Sequence, residues 1–223
     1  MVAKAVPGCW EVVEPLTLCR VRAIAAAEAL NEASSVAARS DLVAALPLLR
    51  RAVGAGDDAG RMMAAANRGL WPAIATALGT GGMAEAWQAC TTLREHRGDG
   101  HVTSLVTHGI SGIEAHVLVA GTKGVPAEIL RDNRGWSEDD WEAATANLAA
   151  RGLLHADGRA TDTGRTLHAA VEEQTDRLAA SPYAALGDAA LADLHGALLA
   201  CAHDVVASGV LPFPNPMGLP RAT

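Results

Sequence analysis

Lysine is nearly absent from this chain. Of its 18 basic residues only Lys4 and Lys123 are lysines, and against 25 acids they leave a formal net charge of −7. Phosphate neutralisation supplies most of the affinity of nucleic-acid binders, so this balance counts against extensive backbone contact while leaving room for a local arginine patch. Aromatic residues are also scarce, at 3%. The core must then come from Ala, Leu and Val, which favour closely packed helices over wide sheets.

The four cysteines, Cys9, Cys19, Cys90 and Cys201, form no C-x-x-C pair. Reduced thiols in a cytoplasmic protein are therefore expected. No run reaches the roughly 18 apolar residues of a membrane helix, and no secretory pattern opens the chain, so a soluble protein without a membrane partner is expected. Ser-His-Asp, Walker and Rossmann patterns are missing too. Gly79, Gly81 and Gly82 follow no strand and precede no lysine of the P-loop type, so no cofactor is expected.

At 223 residues and 50% hydrophobic content, the chain has ample material for a core without a metal or disulfide staple. Residues 15–31 place Leu18, Val21, Ala25 and Ala29 at helical spacing. A second helix is expected from Ser40 through Leu42, Leu46 and Leu49, kinked or restarted at Pro47. After the loop 54–60, Met62 and Met63 read as core filler on an Ala-rich helix. Residues 82–98 form a helix with Ala86, Cys90 and Leu93 on one side, which Gly98 ends, and 101–108 form another. Cys90 reads as a small buried apolar residue.

Ser111 and Glu114 make a capping-box pattern opening the next helix. A short helix follows from Pro126 to Asp132. Then Ser137, as N-cap before Glu138, Asp139 and Asp140, opens a helix carrying Trp141, Ala144 and Leu148, stopped by Gly152. Asp157-Gly158 between two short extended runs predicts a hairpin wing. A long helix runs from Thr161 to Ala180, and a last one from Gly187 to Ala207 turns Leu191, Leu194, Leu198 and Val205 inward. The tail has four prolines after residue 211, which predicts an extended arm.

The fold class expected is mainly α: a helical bundle with a winged helix-turn-helix module, α plus a small two-stranded β wing. Three regions are expected. They are an Ala-rich helical region 1–109, the winged module 110–181, and a C-terminal helix with Pro-rich tail 182–223.

From 110–121 through 150–167, the order of elements resembles MarR-type winged helix-turn-helix proteins, with Thr161, Gly164 and Arg165 at their T-x-x-G-R turn. With LREHRGDGH at 93–101 and RGWSEDDW at 134–141, the chain resembles more closely an actinobacterial helix-turn-helix family to which no reaction is attached. The likeness covers about residues 60 to 218. The MarR-type resemblance implies a homodimer, a third helix reading the major groove, and a small-molecule pocket between the reading and dimerising parts. The reading helix, however, starts with Glu138, Asp139, Asp140 and Glu142 and has only Arg151 as a base. DNA is therefore a disfavoured partner, unless Arg131, Arg134, Arg159 and Arg165 on flanking elements compensate.

The segment from Arg94 to His101 gathers six ionisable side chains around two glycines. Arg94 and Arg97 are candidates to pair with an acidic or polar ligand that His96, Asp99 and His101 orient. An exposed, solvated turn is the alternative. The spacing His96-x4-His101 across a helix break lacks the geometry of H-E-x-x-H, so no metal is expected. Trp71, Trp87, Trp136 and Trp141 line either an apolar pocket or the core. Two functions remain open on these residues. One is a small-molecule-binding protein, regulator-like; the other is an enzyme with His96 or His101 as general base and Asp99 as its orienting carboxylate.

Overall fold

The computed structural model describes residues 8–78, 82–215 and 217. Lys4, Gly79, Gly81, Pro216 and Pro220 lie outside the described residues, as do the side chains of Cys9, Trp10 and residues 73–78. After a 3-10 turn at Gly8–Glu11, eleven helices follow among the described residues. They are α1 (Pro15–Ala33), α2 (Val36–Ala44), α3 (Leu46–Ala55), α4 (Met62–Leu78), α5 (Met83–Thr107), α6 (Gly112–Lys123), α7 (Ala127–Arg134), α8 (Glu138–Ala150), α9 (Asp162–Ala179), α10 (Ser181–Ala184) and α11 (Asp188–Ala207).

The chain divides into two compact units. The first takes residues 1–96 and 181–210, and the second takes 97–180 and 211–223. The first is a bundle whose core is small and aliphatic, with Leu42, Leu46, Leu49, Val53, Ala86, Ala89, Leu93, Leu194, Ala197 and Cys201 buried together. Alanine at the contact points lets helices approach closely, which explains how so few aromatics suffice. The expected restart at Pro47 occurs: α2 begins earlier than Ser40, at a Ser35 N-cap, and Pro47 sits in the first turn of α3. Buried Glu85 is held by Arg50 in a bidentate pair at 2.7 and 2.8 Å.

Several inward and outward assignments differ from expectation. Met62 and Met63 are 80% and 51% exposed instead of filling the core. On α1 only Ala23 is fully buried, and Val21 faces solvent. On α11 it is Leu194, Ala197 and Cys201 that are buried, and Leu191 is exposed. In an Ala-rich helix several faces are equally apolar, so periodicity alone leaves the orientation open. By length and composition α11 is long and apolar enough to cross a membrane, yet it contributes to the bundle core.

In the second unit, α6 packs against α7, α8 and α9. The capping box at Ser111 and Glu114 forms with both arms present. Ile110, Val117, Leu118, Ala144, Leu148, Leu153, Leu154 and Ala160 make its core. A tight turn from Leu154 to Ala160 stands where the wing was expected. Among the described residues no strand forms, and the turn is closed by a single antiparallel bridge between Leu154 and Ala160. The reason lies in a hydrogen bond distant in sequence and in the early start of the next helix. The Ala160 N–H is donated to the Gly121 carbonyl of α6 at 3.0 Å, and α9 begins two residues later, leaving no chain for a second rung. A Cβ at Gly121 would lie 2.7 Å from the Gly158 carbonyl oxygen, so only glycine lets the turn settle on α6.

Candidate functional site

The motif 94–101 lies within one uninterrupted helix. Gly98 does not end it and Gly100 does not reopen it, since α5 runs for 25 residues from Met83 to Thr107. An internal glycine costs a helix only about 1 kcal/mol, which packing along its length offsets. Five residues of helix turn the chain by about 140° beyond a full turn, so His96 and His101 point in different directions. Asp99 and His101, two apart, also face away from each other. Arg97 and His101, four apart, share a face.

His96 belongs to the first unit and is 2% exposed. Its carbonyl accepts from Arg61 Nη1 at 2.8 Å, and its Nε2 is buried without a partner. Burial, then the nearby Arg61 charge, holds its pKa below the ordinary imidazole value. Nearby, Arg68 pairs with Asp58 at 2.8 Å and donates to the Gly56 carbonyl at 2.9 Å. Arg94 is exposed and pairs with its neighbour Glu95.

Arg97 and His101 belong to the second unit and meet a polar stripe of α9. Arg97 Nη2 lies 3.1 Å from Glu172 Oε2 and 3.0 Å from Asp176 Oδ1. His101 Nδ1 lies 3.1 Å from Thr175 Oγ1 and 3.9 Å from Glu172 Oε1. The single hydroxyl proton of Thr175 goes to the Val171 carbonyl at 2.7 Å, so this oxygen accepts from His101 Nδ1–H. The lone pair of the neutral ring then sits on Nε2. Burial lowers the His101 pKa; Glu172 opposes that shift, while Arg97 and Lys123 add to it.

Burial lowers the pKa of His168, one turn before Glu172, and its Nε2 lacks a partner. Fully buried Ser104, one turn after His101, has an unpartnered hydroxyl. The carboxylate beside His101 is therefore Glu172, whereas Asp99 stands elsewhere on α5 and accepts Thr103 Oγ1 on its carbonyl at 3.0 Å. Sequence reading missed His168, Glu172, Thr175 and Asp176. Their spacing along α9 is the polar-stripe signal that would have found them. Among the described residues no His, Cys, Asp or Glu group is arranged to hold a metal ion.

The second unit also contains a helix, a turn and a helix, formed by α7 and α8. Helix α7 ends on Gly135 with φ +71°, and the Ser137 side chain accepts from the Asp140 N–H to start α8. A family model described as a helix-turn-helix family matches residues 1–212. The chain belongs to that family. No curated protein and no solved structure matches it significantly.

In this helix-turn-helix protein, the exposed start of the second helix is acidic: Glu138, Asp139, Asp140 and Glu142 all face solvent. Three of the four flanking arginines already have acidic partners. Arg131 is 3.4 Å from both Asp132 and Glu138, Arg159 is 2.8 Å from Asp157, and Arg165 pairs with Asp162. A cleft of about 470 Å³ opens between α6 and α8, lined by Ser111, Glu114, Trp136, Asp140 and Asn147 among others. Trp136 Nε1 donates to His116 Nδ1 at 3.3 Å, and Trp141 packs on the core of this unit. In the first unit, Trp71 packs on the core and Trp87 lies under Arg22, 4.8 Å from the guanidinium carbon. Trp71 and Trp87 thus belong to the first unit, and Trp136 and Trp141 to the second.

Proposed function

We propose that this helix-turn-helix protein is a small-molecule-binding protein of regulator type, whose ligand sits against Arg97 and His101. The observation that carries this reading is the meeting of Arg97 and His101 with Glu172, Thr175 and Asp176, beside two buried polar atoms without partners, Ser104 Oγ and His168 Nε2. Buried polar atoms are normally satisfied, so a ligand hydroxyl, amide or carboxyl is a natural complement to them. An acidic ligand would displace Asp176 from Arg97 in preference to Glu172, because the Asp176 side chain is 70% exposed and that of Glu172 34%.

In this reading Arg94, His96 and Asp99 are supports of α5 instead of ligand contacts. The T-x-x-G-R turn supports the MarR-like assignment, which brings a homodimer with it. The acidic face of α8 makes duplex reading secondary to ligand binding. Thermal-shift screening with small carboxylic acids and amides tests the reading. Compounds that stabilise the wild type should lose their effect in Arg97→Ala and His101→Ala, and equal shifts in all three proteins would remove the assignment.

A second reading, an enzyme on the same scaffold, is favoured by one observation. Thr175 accepts from Nδ1–H of His101 and so leaves Nε2 as the basic nitrogen. Turnover of a bound compound, abolished in His101→Ala, would select it; unchanged, stoichiometric ligand would select the binder.

A further inference from the structure

Helix α1 is 19 residues long, yet only Ala23 on it is fully buried, while Leu16, Val21 and Ile24 are 40%, 55% and 42% exposed. Its charges are sorted along its length. Arg20 and Arg22 fall in the first half, and Glu28 and Glu32 in the second. The helix dipole favours the reverse order, and α1 has neither an acid in its first turn nor a base in its last. The arrangement therefore does nothing for the isolated helix.

Arg22 is engaged within its own unit, over the Trp87 ring and 3.4 Å from Gln88 Oε1. Arg20, Glu28 and Glu32 are exposed and make no hydrogen bond or ion pair with any described residue. Arg20, Ile24 and Glu28, spaced by four, lie along one face at intervals of about 6 Å. A helix with bases on one side of a central apolar residue and acids on the other is complementary to itself run backwards.

We infer that α1 is the contact between two copies of this chain, packed antiparallel about a two-fold axis at Ile24, with Arg20 of each copy facing Glu28 of the other. Each residue then opposes the one equally far beyond Ile24. Ile24 meets its own copy, and Arg20 meets Glu28 twice over, as an isologous interface requires. Parallel packing would set like charges side by side. A single exposed helix pair lies at the small end of interface sizes, so the dimer is weak and salt-sensitive.

This inference gives a surface to the homodimer in the regulator reading, and it does not depend on the ligand. Sedimentation velocity of the full chain across the micromolar range tests it. The wild type self-associates, and Arg20→Glu and Glu28→Arg each weaken the dimer by on the order of tenfold, because both copies of the pair turn repulsive. An equimolar mixture of the two variants restores association, since it matches the reversed positions with each other and the native ones with each other. Both variants keep the wild-type helical circular dichroism, the substituted residues being on the surface. A wild type that stays monomeric overturns both the surface and the dimer. A dimer indifferent to the charge reversals overturns the α1 surface alone, and failure of the mixture to recover overturns the antiparallel pairing.

Discussion

Gly164 lies so close to Leu153 that a Cβ added to it would sit 2.1 Å from the Leu153 carbonyl oxygen. The contact explains the T-x-x-G-R turn physically. Thr161 caps α9 by accepting from the Gly164 N–H at 3.0 Å, its own N–H goes to the Leu153 carbonyl at 3.1 Å, and only glycine permits both. Gly164→Ala should destabilise the protein by about 2 to 4 kcal/mol, because backbone must move to admit the methyl group. Urea unfolding would show it; a wild-type midpoint would mean that the two segments are not in contact.

Glu114 ties α6 to α8. Burial pushes its carboxyl up, but the Ser111 backbone and hydroxyl, Asn147 and Arg151 outweigh that and hold it below its usual range. A depressed carboxylate stabilises the fold above its unfolded pKa and loses that contribution as pH falls through the folded value. Glu114→Ala should cost about 1 to 3 kcal/mol at neutral pH and progressively less in acid, measured as the difference in unfolding free energy at each pH.

His96, His101, His116 and His168 are all held below the ordinary imidazole value, with burial the first cause in each. The unfolded chain takes up protons below about pH 6.5 that the folded chain excludes. Stability is therefore full above that value and declines as pH drops through it. The urea midpoint should be lower at about pH 5.5 than at about pH 7.5, and His101→Gln should flatten the difference.

Cys90 is a thiol of the first core, pushed up to about 11 by burial and by neighbouring Cys201. At about pH 8 only on the order of one molecule in a thousand carries the thiolate there. Iodoacetamide should leave Cys90 unmodified in the native protein and modify it after denaturation, as peptide mass mapping would reveal. Native-state labelling would show that the bundle opens locally around α5.

Duplex association is checked by anisotropy of a labelled arbitrary duplex at about 50 and 200 mM salt. Weak binding at both is expected, given the carboxylates opening α8 and the paired state of Arg131, Arg159 and Arg165. Binding that falls steeply with salt would restore the duplex-reading role.

The capped helices were the legible part of the fold. Ser111 with Glu114, Ser137 before its acids, and Thr161 three residues before Gly164 are local chemistry, and each marks the start it was expected to mark. The two-stranded wing was not legible in the same way, because the fate of the Ala160 N–H depends on Gly121, far away in sequence. Glycine was misleading at Gly98, where its cost to the helix is smaller than what packing along α5 returns.

The candidate site divides along the same line. Composition picks out Arg97 and His101 as chemically rich, and spacing along α9 marks Glu172, Thr175 and Asp176 as one polar stripe, but neither says that the two meet across some 70 residues of chain. By itself the sequence determined where the capped helices α6, α8 and α9 begin, the helix-turn-helix order, and the acidic character of the second helix, since caps, turns and charge act over one or two turns of chain. Only the tertiary structure decided which face of each Ala-rich helix is buried, that α5 continues through its glycines, and that His96 and His101 serve different units. Those outcomes depend on long-range packing, and a run of alanines carries too little asymmetry to announce it.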